Sequence, residues 1–451
     1  MSEWPLDWRV SSLEELASHI TSGGTPTSGS PRYYSETGGL PFAKTEDLTR
    51  AKSKFLDDCE LYVTEAALRE SAAKKYPIGT ILVSMYGTIG LTKITACELA
   101  ANQALCALIP PFTCDRDYLY QHLDFIRPDW LRFSGQTTQA NINGAAVRAR
   151  EVPLPPVSEQ RAIAQILDTL DTAIRETETL IDKLKAVKQG LLHDLLTRGI
   201  DVNGQLRPPQ SEAPQLYKES PLGWVPQEWT VAGLAFAVQK DRSVIRTGPF
   251  GSSLKGEHWR ESGRPVVTIG SLGDGAFIES ELLFIDEKTA EHLVDFELCP
   301  GDIAFSRVAD VGRSVVITEE QRGWIMSSNF MRISVDSEKA RPRLLQLLLA
   351  SSILVRKQIR MTVNSAGRDV ANSAVLMALR FPWPMPEEQD QIIERVESSE
   401  RKIAMEEAQH QKLLAAKKGL MDDLLTGRVR SNLLLETAAP IVHQPAGQPG
   451  A

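Results

Sequence analysis

The chain has 451 residues, 42% of them hydrophobic and 24% charged, with a formal net charge of −8. That length exceeds one compact core and predicts two to four domains of an ordinary soluble protein. No apolar run reaches the roughly 18 residues of a membrane span. The N-terminus MSEWPLDWRV lacks the basic and apolar regions of a signal peptide, so a cytoplasmic location is expected.

The first 152 residues carry 15 Lys+Arg against 18 Asp+Glu, so no basic domain opens the chain. They mix short β-rich runs such as Ile81-Leu82-Val83 with helical ones. Ile109-Pro110-Pro111-Phe112 mimics the polar-Pro-Pro-aromatic motif of adenine methyltransferases, but Ile109 offers no hydrogen bond to a target amino group. Gly135–Asn141 is a polar run suited to a loop.

Pro153-Leu154-Pro155-Pro156 then forces an extended approach to a helix, with Ser158 as candidate N-cap and Glu159 in the first turn. Thr197-Arg198-Gly199 supplies the stop. As one helix the roughly 39 residues between would span ~58 Å. Their apolar period is seven: one seam holds Ile163, Leu170, Thr177, Leu184 and Leu191, the other Leu167, Ile174, Ile181, Lys188 and Leu195. That is the pattern of a coiled coil.

Residues 199–224 read as a Pro-containing polar linker, 225–382 as a second mixed α and β unit, and 383–428 as a second long helix. The second helix repeats the first without a gap: residues 388–426 match 159–197 at 15 of 39 positions, at an offset of 229. Its seams, Ile392, Ser399, Glu406, Leu413, Leu420 and Val396, Ile403, His410, Lys417, Leu424, are apolar at six of ten positions against eight in the first copy. Polar Thr177, Glu406 and His410 suit a layer that fixes register, while Lys188, Lys417 and Lys418 suit solvated surface charges, capping or docking. Pro5-Leu6-Asp7-Trp8 matches Pro226-Gln227-Glu228-Trp229, Gly79-Thr80-Ile81 matches Gly301-Asp302-Ile303, and Ser84, Gly90 and Asn143 match Ser306, Gly312 and Asn372. Such a duplication predicts two pseudo-symmetric units. Residues 429–451 lack periodicity, as a disordered tail does.

Chemistry-bearing motifs are missing. There is no GxxxxGK[ST] phosphate loop and no GxSxG, and Gly273-Asp274-Gly275 has no third glycine. The five cysteines form no CxxC pair and the seven histidines no HxH or HxxxH, so neither a metal nor a cofactor is expected. A chain of this kind catalyses nothing itself.

The endings QGLLHDLLTRG and KGLMDDLLTGR, the approach PLPPVSEQ and the joint YKESPLGWVPQEW resemble the specificity (S) subunit of type I restriction–modification enzymes. Residues 245–272, IRTGPFGSSLKGEHWRESGRPVVTIGSL, are similar to the opening of many target-recognition domains of that family, and Ser22-Gly23-Gly24-Thr25-Pro26 resembles others. The resemblance implies two α+β target-recognition domains (1–152 and 225–382) separated by two long helices that form an antiparallel coiled coil. It implies that each domain reads half of a bipartite double-stranded DNA site. The helices would set the spacing and dock two adenine-methylating modification subunits, and motor-nuclease subunits would join. The alternative is a coiled-coil scaffold that reads no DNA. A stand-alone restriction–methylation enzyme would need cofactor-dependent methylation by this chain alone.

In the first domain the resemblance implies DNA contact for the loop residues Thr25, Lys44, Tyr86 and Thr88, and residue types suited to base edges or phosphates single out Gln136, Thr137, Gln139 and Asn141. In the second they are Ser252, Lys255, Arg307, Arg313 and Arg368, the last aligned with Gln139 at the same offset. Gly248-Pro249-Phe250-Gly251-Ser252-Ser253 is a further candidate for amide approach to phosphate. Helix packing and docking fall to Leu167, Ile174, Ile181, Leu184, Leu191, Leu195, Val396, Ile403, Leu413, Leu420 and Leu424.

Overall fold

The computed structural model describes residues 4–133, 141–238, 243–250, 253–273, 275–308, 311–365 and 370–431. The chain divides into two compact units, one built from the residues before Ile181 and after Met405, the other from Ile181–Met405.

In the first unit Arg9–Ser12 pairs antiparallel with Glu151–Leu154, which closes the two ends of the globular part against each other. Between them lie two five-stranded sheets. One has the order Ala17–Ser22, Leu105–Phe112, Ile81–Ser84, Thr92–Thr95, Phe55–Leu56. Side chains alternate across a strand: Ile81 and Val83 enter one core with Cys106 and Leu108, while Leu82 enters another with Leu105 and Ala107. The Ile-Leu-Val run is therefore apolar at every position because this sheet is covered on both faces. One cover is the helix Arg116–Phe125, whose Asp115 cap accepts hydrogen bonds from the amides of Asp117 and Tyr118. Pro110 and Pro111 stand where the pairing of Leu105–Phe112 with Ala17–Ser22 shifts register, a place that demands no proline N–H.

The second unit repeats the plan. Thr230–Ala232 pairs with Phe381–Trp383, and a four-stranded sheet has the order Ile245–Thr247, Phe330–Ile333, Ile303–Ser306, Ser314–Val316. Ile303 and Phe305 face one core and Ala304 the other. Gly79 and Gly301, both at positive φ (84° and 86°), make the same turn before the strands that begin at Ile81 and Ile303.

The two longest elements are Val157–Thr197, of 41 residues, and Pro386–Leu425, of 40. Each spans ~60 Å, slightly longer than expected, and each contributes one part to each unit. Within the first unit they run antiparallel: Asp171 pairs with Lys417 at 2.6 Å and Glu178 with His410 at 3.0 Å. Ile163 and Leu167 share a core there with Met421 and Leu424. Within the second unit Lys188 pairs with Glu400 at 2.9 Å, and Leu192 and Leu195 join Ile392 and Val396.

The first long helix begins at Val157, so Ser158 lies inside its first turn and is not the N-cap. Gln160 does the anchoring instead. Its amide nitrogen donates to the Pro155 carbonyl and its oxygen accepts the Asp115 N–H, both at 2.8 Å. Gln389 repeats this at the second helix, with the Pro384 carbonyl and the Arg341 N–H. Beyond the helix ends Gly199 and Gly427 adopt φ of +65° and +73°. The segment after Gly199 packs closely: Ile200, Arg207 and Tyr217 are buried, and Tyr217–Ser220 forms a hairpin with Gly223–Pro226. The tail from residue 432 lies outside the described residues.

Candidate nucleic-acid interface

In the first unit four segments meet at one edge of the covered sheet. The N–H of Gly23 donates to the Leu105 carbonyl and that of Gly24 to the Ala101 carbonyl. A Cβ on Gly23 would stand 2.1 Å from the Asn102 carbonyl oxygen, so only glycine permits the crossing. Asn102 N–H donates to Ala43, Met85 N–H to Ala104 and Ile142 N–H to Met85. These bonds bring Thr25, Lys44, Tyr86 and Asn141 around the turn Asn102–Ala104, and Tyr86 and Asn141 form a β-bridge. A cleft of about 420 Å³ opens there, lined by Thr25, Tyr34, Phe42, Lys44, Asn102 and Gln103. Tyr86 is exposed, Lys44 half-buried, and the Thr88 hydroxyl is buried without a hydrogen-bond partner among the described residues. Gln136, Thr137 and Gln139 lie outside the described residues.

The second unit rebuilds most of this edge, without the bond that Gly24 donates, because Pro249 has no N–H. Gly248 N–H donates to Phe330, Arg307 N–H to Asn329 and Ala371 N–H to Arg307. The Ser84 hydroxyl donates to the Tyr86 carbonyl at 2.9 Å and the Ser306 hydroxyl to the Val308 carbonyl at 2.8 Å. Asn143 and Asn372 cap the short helices that follow. The scattered matches at Ser84, Gly90 and Asn143 are thus the frame of a repeated edge. Gly248 has the role of Gly23: a Cβ would lie 2.0 Å from the Ser327 carbonyl oxygen. That crossing accounts for its glycine without any phosphate contact.

Arg307 reaches the Ala371 carbonyl through Nε at 3.3 Å, and Arg313 is half-buried. Lys255 is exposed on the connection to Trp259–Arg260, 4.0 Å from Glu257. Ser252 and Arg368 lie outside the described residues. Balanced totals conceal a basic segment: residues 340–386 hold seven Lys/Arg and one acid, Asp369, whereas 221–339 hold 12 against 18. Arg341 and Arg343 are drawn to Asp390 and Glu400 on the long helix. Arg356 Nη1 donates to the Val311 carbonyl at 2.6 Å, which seats the helix Ile353–Ser365 against the loop that carries Arg313 and leaves Lys357 and Arg360 exposed. Sequence totals per domain missed this because acids elsewhere in the unit cancel it.

The family model of the Type I restriction modification DNA specificity domain matches residues 5–186 and 248–415. The chain belongs to this family of type I specificity subunits. It is 26% identical over 284 residues to the type I restriction enzyme MjaVIII specificity subunit of Methanocaldococcus jannaschii, a match covering 62% of each chain. It is 24% identical to the MjaX specificity subunit of the same organism over 95% of both chains. It is 29% identical to the EcoR124I/EcoR124II specificity subunit of Escherichia coli over 38% of this chain and 42% of that one. The fold is that of the type I S subunit from M. genitalium, with a TM-score of 0.55 and 14% identity over 94% of this chain and 98% of that one. A chain from a structure of type I restriction–modification complex assembly gives 0.57 and 16% over 95% and 100%.

On the two long helices, Leu167, Ile174, Ile181, Leu195, Val396, Ile403 and Leu424 are buried. Leu184, Leu191, Leu413 and Leu420 are half-buried. Lys188 and Lys417, which suited capping or docking, occupy the seam as ion-pair partners, and Lys418 is exposed. Among the described residues no group of His, Cys, Asp or Glu is arranged to hold a metal, and no helix is long and apolar enough to cross a membrane. Burial pushes the Cys106 and Cys114 thiols up to about 12, which keeps them protonated.

Proposed function

We propose that this chain is the sequence-reading, non-catalytic subunit of a cytoplasmic type I restriction–modification complex, each unit reading one half of a bipartite DNA site. The observation that carries the proposal is the repeated sheet edge. One backbone frame presents Thr25, Lys44, Tyr86 and Asn141 in one unit and Arg307 and Arg313 in the other. Equal frames with unequal side chains suit two different half-sites. Hydroxyl, amide and guanidinium groups are the ones that discriminate base edges, and the exposed cations of Ile353–Ser365 suit phosphates. The long helices set the gap between half-sites and dock two modification methyltransferase subunits, and motor-nuclease subunits complete the complex.

The test is to map methylated adenines in DNA from cells that express the chain with its modification subunit. A bipartite motif is expected. Arg313→Ala relaxes one half-site by roughly ten- to a hundredfold in discrimination. Equal loss at both halves would remove Arg313 from base reading.

A further inference from the structure

The turn at the centre of the repeated edge keeps its backbone in both units and changes its side chains. In the first unit it is Asn102-Gln103-Ala104. The Asn102 side chain is used internally, its oxygen accepting the Ala104 N–H at 3.1 Å. Gln103 is exposed, lines the cleft beside Lys44, and accepts a hydrogen bond on its side-chain oxygen from the Thr25 hydroxyl. In the second unit the shared bonds from Met85 to Ala104 and from Arg307 to Asn329 place Ser327-Ser328-Asn329 in the same register. Ser327 is buried and Asn329 exposed. In that register Ser328 answers Gln103 and Asn329 answers Ala104, so each turn offers one exposed carboxamide, one position apart, where three loops converge on a fixed frame.

A carboxamide reads adenine through paired hydrogen bonds, its oxygen accepting from N6 and its nitrogen donating to N7. The Thr25 hydroxyl donates to the Gln103 side-chain oxygen, and that oxygen retains a lone pair for a base. We propose that Gln103 reads a base pair of one half-site and Asn329 a base pair of the other, with Thr25 as the positioning residue for Gln103. The assignment rests on the specificity-subunit reading above.

The experiment co-expresses the full chain with its modification subunit and maps methylated adenines for the unaltered chain and for Gln103→Ala, Asn329→Ala, Thr25→Ser and Thr25→Val. Complex assembly is verified for each. Gln103→Ala is expected to relax one position of one half-site by about 5- to 150-fold, and Asn329→Ala one position of the other, with the gap unchanged. Thr25→Val should relax the same position as Gln103→Ala, Thr25→Ser should keep the motif, and the double variant Thr25→Val/Gln103→Ala should be no looser than Gln103→Ala. Unchanged motifs, relaxation of the same half by both alanine variants, or uniform loss of methylation from an assembled complex would each overturn the assignment. Absence of any bipartite motif with the unaltered chain would overturn the specificity reading itself.

Discussion

The identities Glu159-Gln160 and Glu388-Gln389 are explained by what each side chain holds. Glu388 accepts two hydrogen bonds from Arg207, at 2.5 and 3.2 Å, and one from Trp229 Nε1 at 3.1 Å. Glu159 accepts from Arg430 at 2.8 and 2.7 Å. Each arginine also meets an acid at the matched start of its own unit, Glu228 or Asp7. The glutamates were visible in the sequence as a repeat. The arginines were not, because Arg207 and Arg430 lie in segments that do not align and are 181 and 271 residues from their partners. Burial separates the two sites: Arg207 is 5% exposed, whereas the Arg430 side chain is 34% exposed. Glu388→Gln leaves a buried guanidinium without its closest charge and should cost about 3 kcal/mol in urea unfolding. Glu159→Gln should cost about 1 kcal/mol or less, because solvent screens its arginine. Equal losses at the two positions would refute the burial argument.

At the scale of elements, the seven-residue period located both long helices and most of their buried positions, because the seam repeats at short range. It ranked the second seam as poorer, and the structure supplies the missing compensation. Lys417 pairs with Asp171 on the opposite helix, and Lys188 pairs with Glu400, the same pair carried over by the offset of 229. A single helix pattern does not contain the acid on the other helix, so the seam lysines looked like surface charges. Burial raises the Glu400 carboxyl, but the hydrogen bond from Lys188 and the charges of Arg343 and Lys188 outweigh it and hold the group below the ordinary carboxylate range. A folded value below the unfolded one stabilises fully above the unfolded pKa and is lost as pH falls through the folded value. Thermal unfolding should therefore show Glu400→Gln less stable than the unaltered chain above about pH 4.3, with the two curves converging in more acid solution. A difference that stays constant with pH would show that Glu400 acts through shape and not charge.

For the whole molecule, duplication was legible from the offset alone, and so was the α+β character of each unit. The strand frame of the repeated edge was not, since it is built from backbone bonds between residues that share little sequence. The functional role proposed for the helix pair makes a quantitative claim about DNA. Paired positions on the two helices, Asp171 with Lys417, Glu178 with His410 and Lys188 with Glu400, all follow one antiparallel register. In that register Thr179 falls opposite Gln409 and Leu180 opposite Ala408. Seven residues inserted after both Thr179 and Ala408 would pair with each other and keep the seam in phase, because seven is the seam period. The helices would lengthen by ~10.5 Å, about three base pairs at roughly 3.4 Å each. The mapped methylation motif should keep both half-sites and widen its central gap by about three base pairs. An unchanged gap, from a complex that still assembles and methylates, would show that something other than helix length sets the spacing.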